Sequence, residues 1–160
     1  MIENLDCLKT NLLKLSLAKN RIKVIENIHS LTNITFLTLQ ANRLTKICGL
    51  ENLVNLKELY LSENFITKIE NLDTLVNLEI LDIAYNKVES LENVEKNSKL
   101  TDLWLNHNNI KNFADLDILK NLTNLDSIYL WQNPVASFPS YKQTLRTLCP
   151  KLTQIDASYL

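Results

Sequence analysis

Asn20, Asn42, Asn64, Asn86 and Asn108 stand 22 residues apart, and Asn133 follows 25 residues later. Around each runs the frame L-x-x-L-x-L-x-x-N-x-I/L. It reads LLKLSLAKNRI at 12–22, ITFLTLQANRL at 34–44, LKELYLSENFI at 56–66, LEILDIAYNKV at 78–88, LTDLWLNHNNI at 100–110 and LDSIYLWQNPV at 125–135. A frame repeated six times in register admits few folds. Its L-x-L pair alternates with period two, which predicts a short strand with inward leucines. Stacked copies pair those strands about 4.8 Å apart in a parallel sheet. The Asn bends the chain after the strand, and its amide can bond backbone groups that the bend leaves without partners. In the second half, ITKIENLDTLVN spaces Ile66, Ile69, Leu72 and Leu75 by threes, which predicts a 3-10 or short helical return. No repeat buries its leucines alone; neighbours cover one another.

The frame is that of the leucine-rich repeat at its 22-residue period. The expected fold is α/β: a right-handed leucine-rich-repeat solenoid with a parallel concave sheet, a 3-10 or short helical convex side and a C-terminal helical cap. A single domain is expected over residues 1–160, with a partial repeat at 1–11, repeats at 12–133 and the cap at 134–160. The repeat from Leu100 is three residues longer, and NFADLDILKNLTN at 112–124 is expected to absorb the excess on the convex side. In the cap, Tyr141, Leu145 and Leu148 mark one helix face. Pro150 stops that helix, and Leu152 with Ile155 restarts the frame. At the other end IENLDCL at 2–8 matches IENLDTL at 69–75, so the chain starts inside a repeat. The expectation there is either a piece of a longer array or another surface over Leu5 and Leu8. An uncapped end of that kind is open to self-association.

Composition narrows the partners. Net charge is −1, which recommends neither nucleic acid nor an anionic membrane. Residues 1–11 lack a basic region followed by an apolar run, and no apolar stretch approaches the roughly 18–20 residues that span a bilayer. An intracellular protein, of nucleus or cytoplasm, is expected. Cys7, Cys48 and Cys149 form no C-x-x-C pair, and a single Gly, Gly49, rules out a Gly-rich phosphate loop. His29 and His107 lie far apart in the array. Asp82 and Asp102 fall on adjacent strands and could serve as a metal or acid–base pair; a solvated acidic patch meeting a basic partner is the preferred reading. No catalytic residue, metal or cofactor is expected, and the protein is read as non-enzymatic.

Alternation puts three side chains of each strand on the open concave face. The middle column runs Ser16, Thr38, Tyr60, Asp82, Trp104, Tyr129. The column before it runs Lys14, Phe36, Glu58, Ile80, Asp102, Ser127, and the one after it Ala18, Gln40, Ser62, Ala84, Asn106, Trp131. Aromatic rings and carboxylates gather toward the C-terminal half. Ser, Thr or Lys would serve the fold equally well there, so Tyr60, Trp104, Tyr129 and Trp131, with Glu58, Asp82 and Asp102, are the candidate partner-binding residues. The competing reading is that Tyr60, Trp104 and Tyr129 only stack on one another.

The C-terminal third resembles one family more specifically. W-x-N-x-N, D-L-D-x-L, Y-L-x-x-N-P, P-x-Y-x-x-x-L and a final Q-I-D-A are similar to the C-terminal half of regulatory subunit 7 of protein phosphatase 1. That family binds the phosphatase catalytic subunit through its concave face and has no catalysis of its own. The resemblance implies that Asp82, Asp102, Trp104 and Tyr129 make such contacts here. Repeats of this class also occur in axonemal dynein light chains and in the A-prime protein of the U2 spliceosomal particle, so a scaffold of another complex is the alternative.

Overall fold

Each repeat contributes one three-residue strand centred on a buried frame leucine or isoleucine. In the computed structural model, which describes residues 2, 3, 5 and 10–159, these are β1 (Lys14–Ser16), β2 (Phe36–Thr38), β3 (Glu58–Tyr60), β4 (Ile80–Asp82), β5 (Asp102–Trp104) and β6 (Ser127–Tyr129). They pair in parallel with the repeat's own register: Leu15 opposite Leu37, then Leu59, Leu81, Leu103 and Ile128. The sheet therefore turns equivalent side chains into straight columns, and that is what assembles the concave face.

Asparagine closes each turn. The Asn64 amide donates to the carbonyls of Leu61 and Leu39 (2.9 and 3.1 Å), and its oxygen accepts the Leu44 N–H at 2.9 Å. Asn42, Asn86, Asn108 and Asn133 likewise accept a backbone N–H from the repeat before. Each turn is thus tied to its neighbour as well as to itself, and the asparagines form a ladder along the array.

On the convex side, most repeats return through isolated turns with N–H bonded to the third carbonyl back, such as Leu53 to Leu50 and Leu56 to Leu53 (both 2.9 Å). Among the described repeats the longer one consolidates them into a 3-10 helix at Phe113–Asn121, and a second, short 3-10 helix at Pro134–Ser137 opens the cap. Asn27, Asn71 and Asn93 take left-handed backbone at φ 57–72° and donate to Ile2, Ile47 and Ile69 carbonyls. The fourth residue of that column is Gly49, at φ 72°, where a Cβ would sit 2.7 Å from the Ile25 oxygen. Here the backbone has closed in too far for any side chain.

The core between the two sides is a stack of aliphatic columns, nearly all with no exposure. One column is interrupted. Leu31, Leu53 and Leu75 are followed by Asn97, which is fully buried and donates to the Leu72 and Leu75 carbonyls, while its Oδ1 has no partner among the described residues. Helix α1 (Tyr141–Leu148) forms the cap, burying Tyr141 and Leu145. Beyond Pro150 the frame resumes as β7 (Gln154–Ile155), parallel to β6, and a short antiparallel β8 (Ser158–Tyr159) covers its edge. At the other end Ile2 is buried and Leu5 half-buried; Leu8 and Cys7 lie outside the described residues. Among the described residues, no helix is long and apolar enough to cross a membrane.

Candidate functional site

Parallel register aligns the middle column of the concave face, and its rings meet one another and Phe36 of the column before. Phe36 and Tyr60 lie 5.4 Å apart between centroids, Tyr60 and Trp104 6.1 Å, and Trp104 and Tyr129 6.2 Å. Lys14 Nζ stands 5.6 Å over Phe36 and ends the ribbon. The rings are half-buried. Stacking among Tyr60, Trp104 and Tyr129 is therefore real, and it does not close the surface.

Tyr60 and Trp104 are two strands apart, so ideal spacing would hold them roughly 9–10 Å from each other. They approach to 6.1 Å by leaning together across the column of the smaller Asp82 between them. Asp82 is consequently 8% exposed. This corrects the expectation that it lies open to a partner's Lys or Arg. Its carboxylate instead accepts the Ser62 hydroxyl at 2.6 Å and the Ala84 N–H at 3.0 Å. Burial pushes its pKa upward, against the lowering effect of those two bonds, and the charge of Glu63 adds to the rise.

The other two carboxylates are half-buried at the surface. Glu58 accepts the Tyr60 hydroxyl at 3.0 Å, and Asp102 accepts the Thr101 hydroxyl at 2.9 Å. Burial first, then the bond to Glu58 and the charges of Glu58, Asp82 and Asp102, pushes the Tyr60 phenol up to about 12. The face is thus aromatic along its centre and negative beside it. Tyr129 is braced from the cap, where Gln154 donates to its hydroxyl.

Asp82 and Asp102 do not face each other: Asp82 is opposite Trp104, and Asp102 is opposite Ile80. Among the described residues no group of three or more His, Cys, Asp or Glu gathers with metal-holding geometry. Trp131 is separated from the ribbon. It sits on the rim at the strand ends, 40% exposed, edge-on to His107 at 4.5 Å, and His107 stacks on Tyr85 at 4.0 Å. Phe36, which heads the ribbon, and Ser62, which holds Asp82, were in the sequence columns but not among the candidates. Phe36 was findable there, as an aromatic one repeat from Tyr60.

A family profile for leucine-rich repeats, in two copies, matches residues 54–96. These are leucine-rich repeats. Protein phosphatase 1 regulatory subunit 7 of Danio rerio is 44% identical over 46 residues, and that of Mus musculus 45% over 46. The match covers 29% of this chain and only 13% of the length of either relative. Among solved structures, a leucine-rich-repeat protein of Leptospira interrogans superposes at a TM-score of 0.78 with 30% identity, covering 91% of this chain and 37% of that one. Internalin C2 of Listeria monocytogenes superposes at 0.78 with 33% identity, covering 95% of this chain and 65% of that one. None of these four is named for an enzymatic activity. The chain is a repeat module of the protein-interaction class, built on a solenoid of parallel strands.

Proposed function

We propose that the concave face docks the catalytic subunit of the Ser/Thr phosphatase protein phosphatase 1, and that the chain acts as a non-enzymatic regulatory module. The observation that carries this reading is the aromatic ribbon from Phe36 to Tyr129 on an open sheet face. An aromatic ring contributes about 150–250 Å² of contact area when covered. A protein partner is the natural cover, since the face is broad and uncurtained rather than an enclosed cavity. The choice of phosphatase rests on the likeness to regulatory subunit 7 in both mammal and fish.

In this reading Trp104, Tyr60 and Tyr129 supply buried area. Asp102 and Glu58 meet Lys or Arg of the partner. Asp82 works from beneath, filling the gap over which Tyr60 and Trp104 converge, and Trp131 extends the contact onto the rim. Such docking sets the enzyme's assembly, its location in nucleus or cytoplasm, or its substrate choice, without chemistry on the module itself.

The test is capture of the chain on immobilised phosphatase 1 catalytic subunit. Trp104→Ala should abolish capture and Asp102→Ala should weaken it. Losing two ring pairs and the half-buried area of the indole should lower folding stability by about 2–4 kcal/mol and leave the chain folded. Failure of the unmutated chain to bind would refute the choice of partner. Unfolding of the Trp104 variant would make the ring structural.

A further inference from the structure

The net charge of −1 conceals a strong separation of charge. The solenoid's flank is formed by the turns at the C-terminal ends of the strands. Its chemistry is set by the six-residue windows that start one residue before each turn asparagine. The first window supplies Lys19, Arg21 and Lys23, and the second Arg43 and Lys46. The next three supply Lys68, Lys87 and Lys111. Against these eight cations stand two carboxylates, Glu63 and Glu89, which leaves nine of the 17 cations and 16 of the 18 carboxylates for the rest of the chain. All eight are exposed. None joins an ion pair among the described residues, where the pairs are Lys57–Glu79 and Lys96–Asp73.

The stacked asparagines hold these turns in line, so the positive charge forms a continuous band beside the acidic concave face. Aromatic side chains run with it. Phe65 is 48% exposed beneath Lys87 Nζ at 5.4 Å, and Tyr85 is 49% exposed. We propose that this flank is a second docking surface, separate from the concave ribbon, for an extended acidic segment of a polypeptide. From the Lys19 turn to the Lys111 turn is four repeat steps, about 19 Å at strand spacing, which an extended peptide covers with roughly six residues.

The ring geometry favours a polypeptide over single-stranded nucleic acid. Base stacking needs ring faces that are free or spaced apart. Here Tyr85 and His107 lie face to face at 4.0 Å with 16° between their planes, and Lys87 covers Phe65. The rings form an apolar ledge for side-chain methylenes beside the cations, with no slot for a base.

The experiment is fluorescence anisotropy of the full chain against a labelled peptide of alternating Glu and Ala. A labelled oligothymidylate and phosphatidylserine vesicles serve as rival polyanions. Peptide binding should weaken steeply with added salt, since exposed charges are screened within about 10 Å at ~0.1 M. The double reversal Arg21→Glu with Arg43→Glu should weaken it on the order of tenfold. Lys46→Glu with Lys68→Glu is a second reversal on other exposed positions, should the first disturb folding, and urea midpoints report folding for both. Trp104→Ala should leave peptide binding unchanged, which keeps this site distinguishable from the concave face. No peptide binding, binding indifferent to both reversals, binding lost equally in Trp104→Ala, or tighter reversal-sensitive binding of the oligonucleotide or vesicles would each overturn the proposal.

Discussion

Replacing Asn97 by Leu should make the protein more stable, although Asn97 makes two hydrogen bonds in the core. The side chain is fully buried in a column that Leu31, Leu53 and Leu75 otherwise fill, and its Oδ1 is unpartnered among the described residues. An unmet buried acceptor costs about 1–3 kcal/mol. A buried leucine contributes about 1.5–3 kcal/mol relative to exposure. Against this, the two bonds to the Leu72 and Leu75 carbonyls (both 3.0 Å) are lost, at about 0.5–1.5 kcal/mol each. Both carbonyls keep a backbone partner, from the Leu75 and Leu78 N–H groups, so neither is orphaned. Leucine is bulkier than asparagine, and imperfect fit takes back about 1–3 kcal/mol. At the midpoints of these ranges gains and losses nearly cancel; with the fit penalty at its low end, as a column that leucine fills at 31, 53 and 75 implies, the net expectation is a gain of about 1 kcal/mol, which for a chain of this size moves the melting midpoint up by about 2–4 °C. Urea unfolding read by circular dichroism should show a higher midpoint at unchanged slope. A lower midpoint would show that the two amide bonds outweigh the orphaned oxygen and that the column narrows at this repeat.

Asp82→Asn should also stabilise the fold at neutral pH. Burial raises the carboxyl's folded-state pKa, so its favourable contribution is present below the unfolded value near 3.9 and is lost as pH rises through the folded one. The variant's advantage in urea midpoint should therefore grow from about pH 4 to pH 7; a constant difference, or a loss at neutral pH, would contradict the assignment. Asn64→Ala should cost about 3–5 kcal/mol, because it strands the buried Leu44 N–H and removes donors to Leu39 and Leu61. Asn20→Ala should cost less than about 1 kcal/mol, since Asn20 is exposed and, among the described residues, its side chain bonds Leu17 and Ala18 of its own turn. Equal losses in the paired denaturation curves would show that the ladder adds nothing.

The solenoid was legible because its determinants are periodic. Strand centres, turn asparagines and the Tyr141–Leu148 cap follow from residue spacing and type. The convex returns were less so: threefold spacing signals a turn, yet among the described repeats it consolidates into a continuous 3-10 helix where the longer repeat supplies extra residues at 113–121. Asp82 illustrates what periodicity omits. Alternation places it on the open face, but the lean of Tyr60 toward Trp104 depends on the size of the residue between them. That is a packing property of three strands, not of one. Asn97 hides for the opposite reason, since a lone polar residue at a frame position reads as tolerated variation until its oxygen is found without a partner. The basic flank was masked by averaging, because near-neutral totals say nothing about how charges distribute among columns. The closing β8 hairpin gave no signal in two-residue strands.

The central claim is that the Phe36–Tyr129 ribbon is a protein-binding face for phosphatase 1. A calorimetric titration of the catalytic subunit with the unmutated chain, repeated at two temperatures and with Trp104→Ala, tests it most directly. Saturable one-to-one binding with a negative heat-capacity change, absent in the variant, is the predicted result, because covering aromatic surface carries that signature. No binding by the unmutated chain, or binding that Trp104→Ala leaves undiminished, would contradict it.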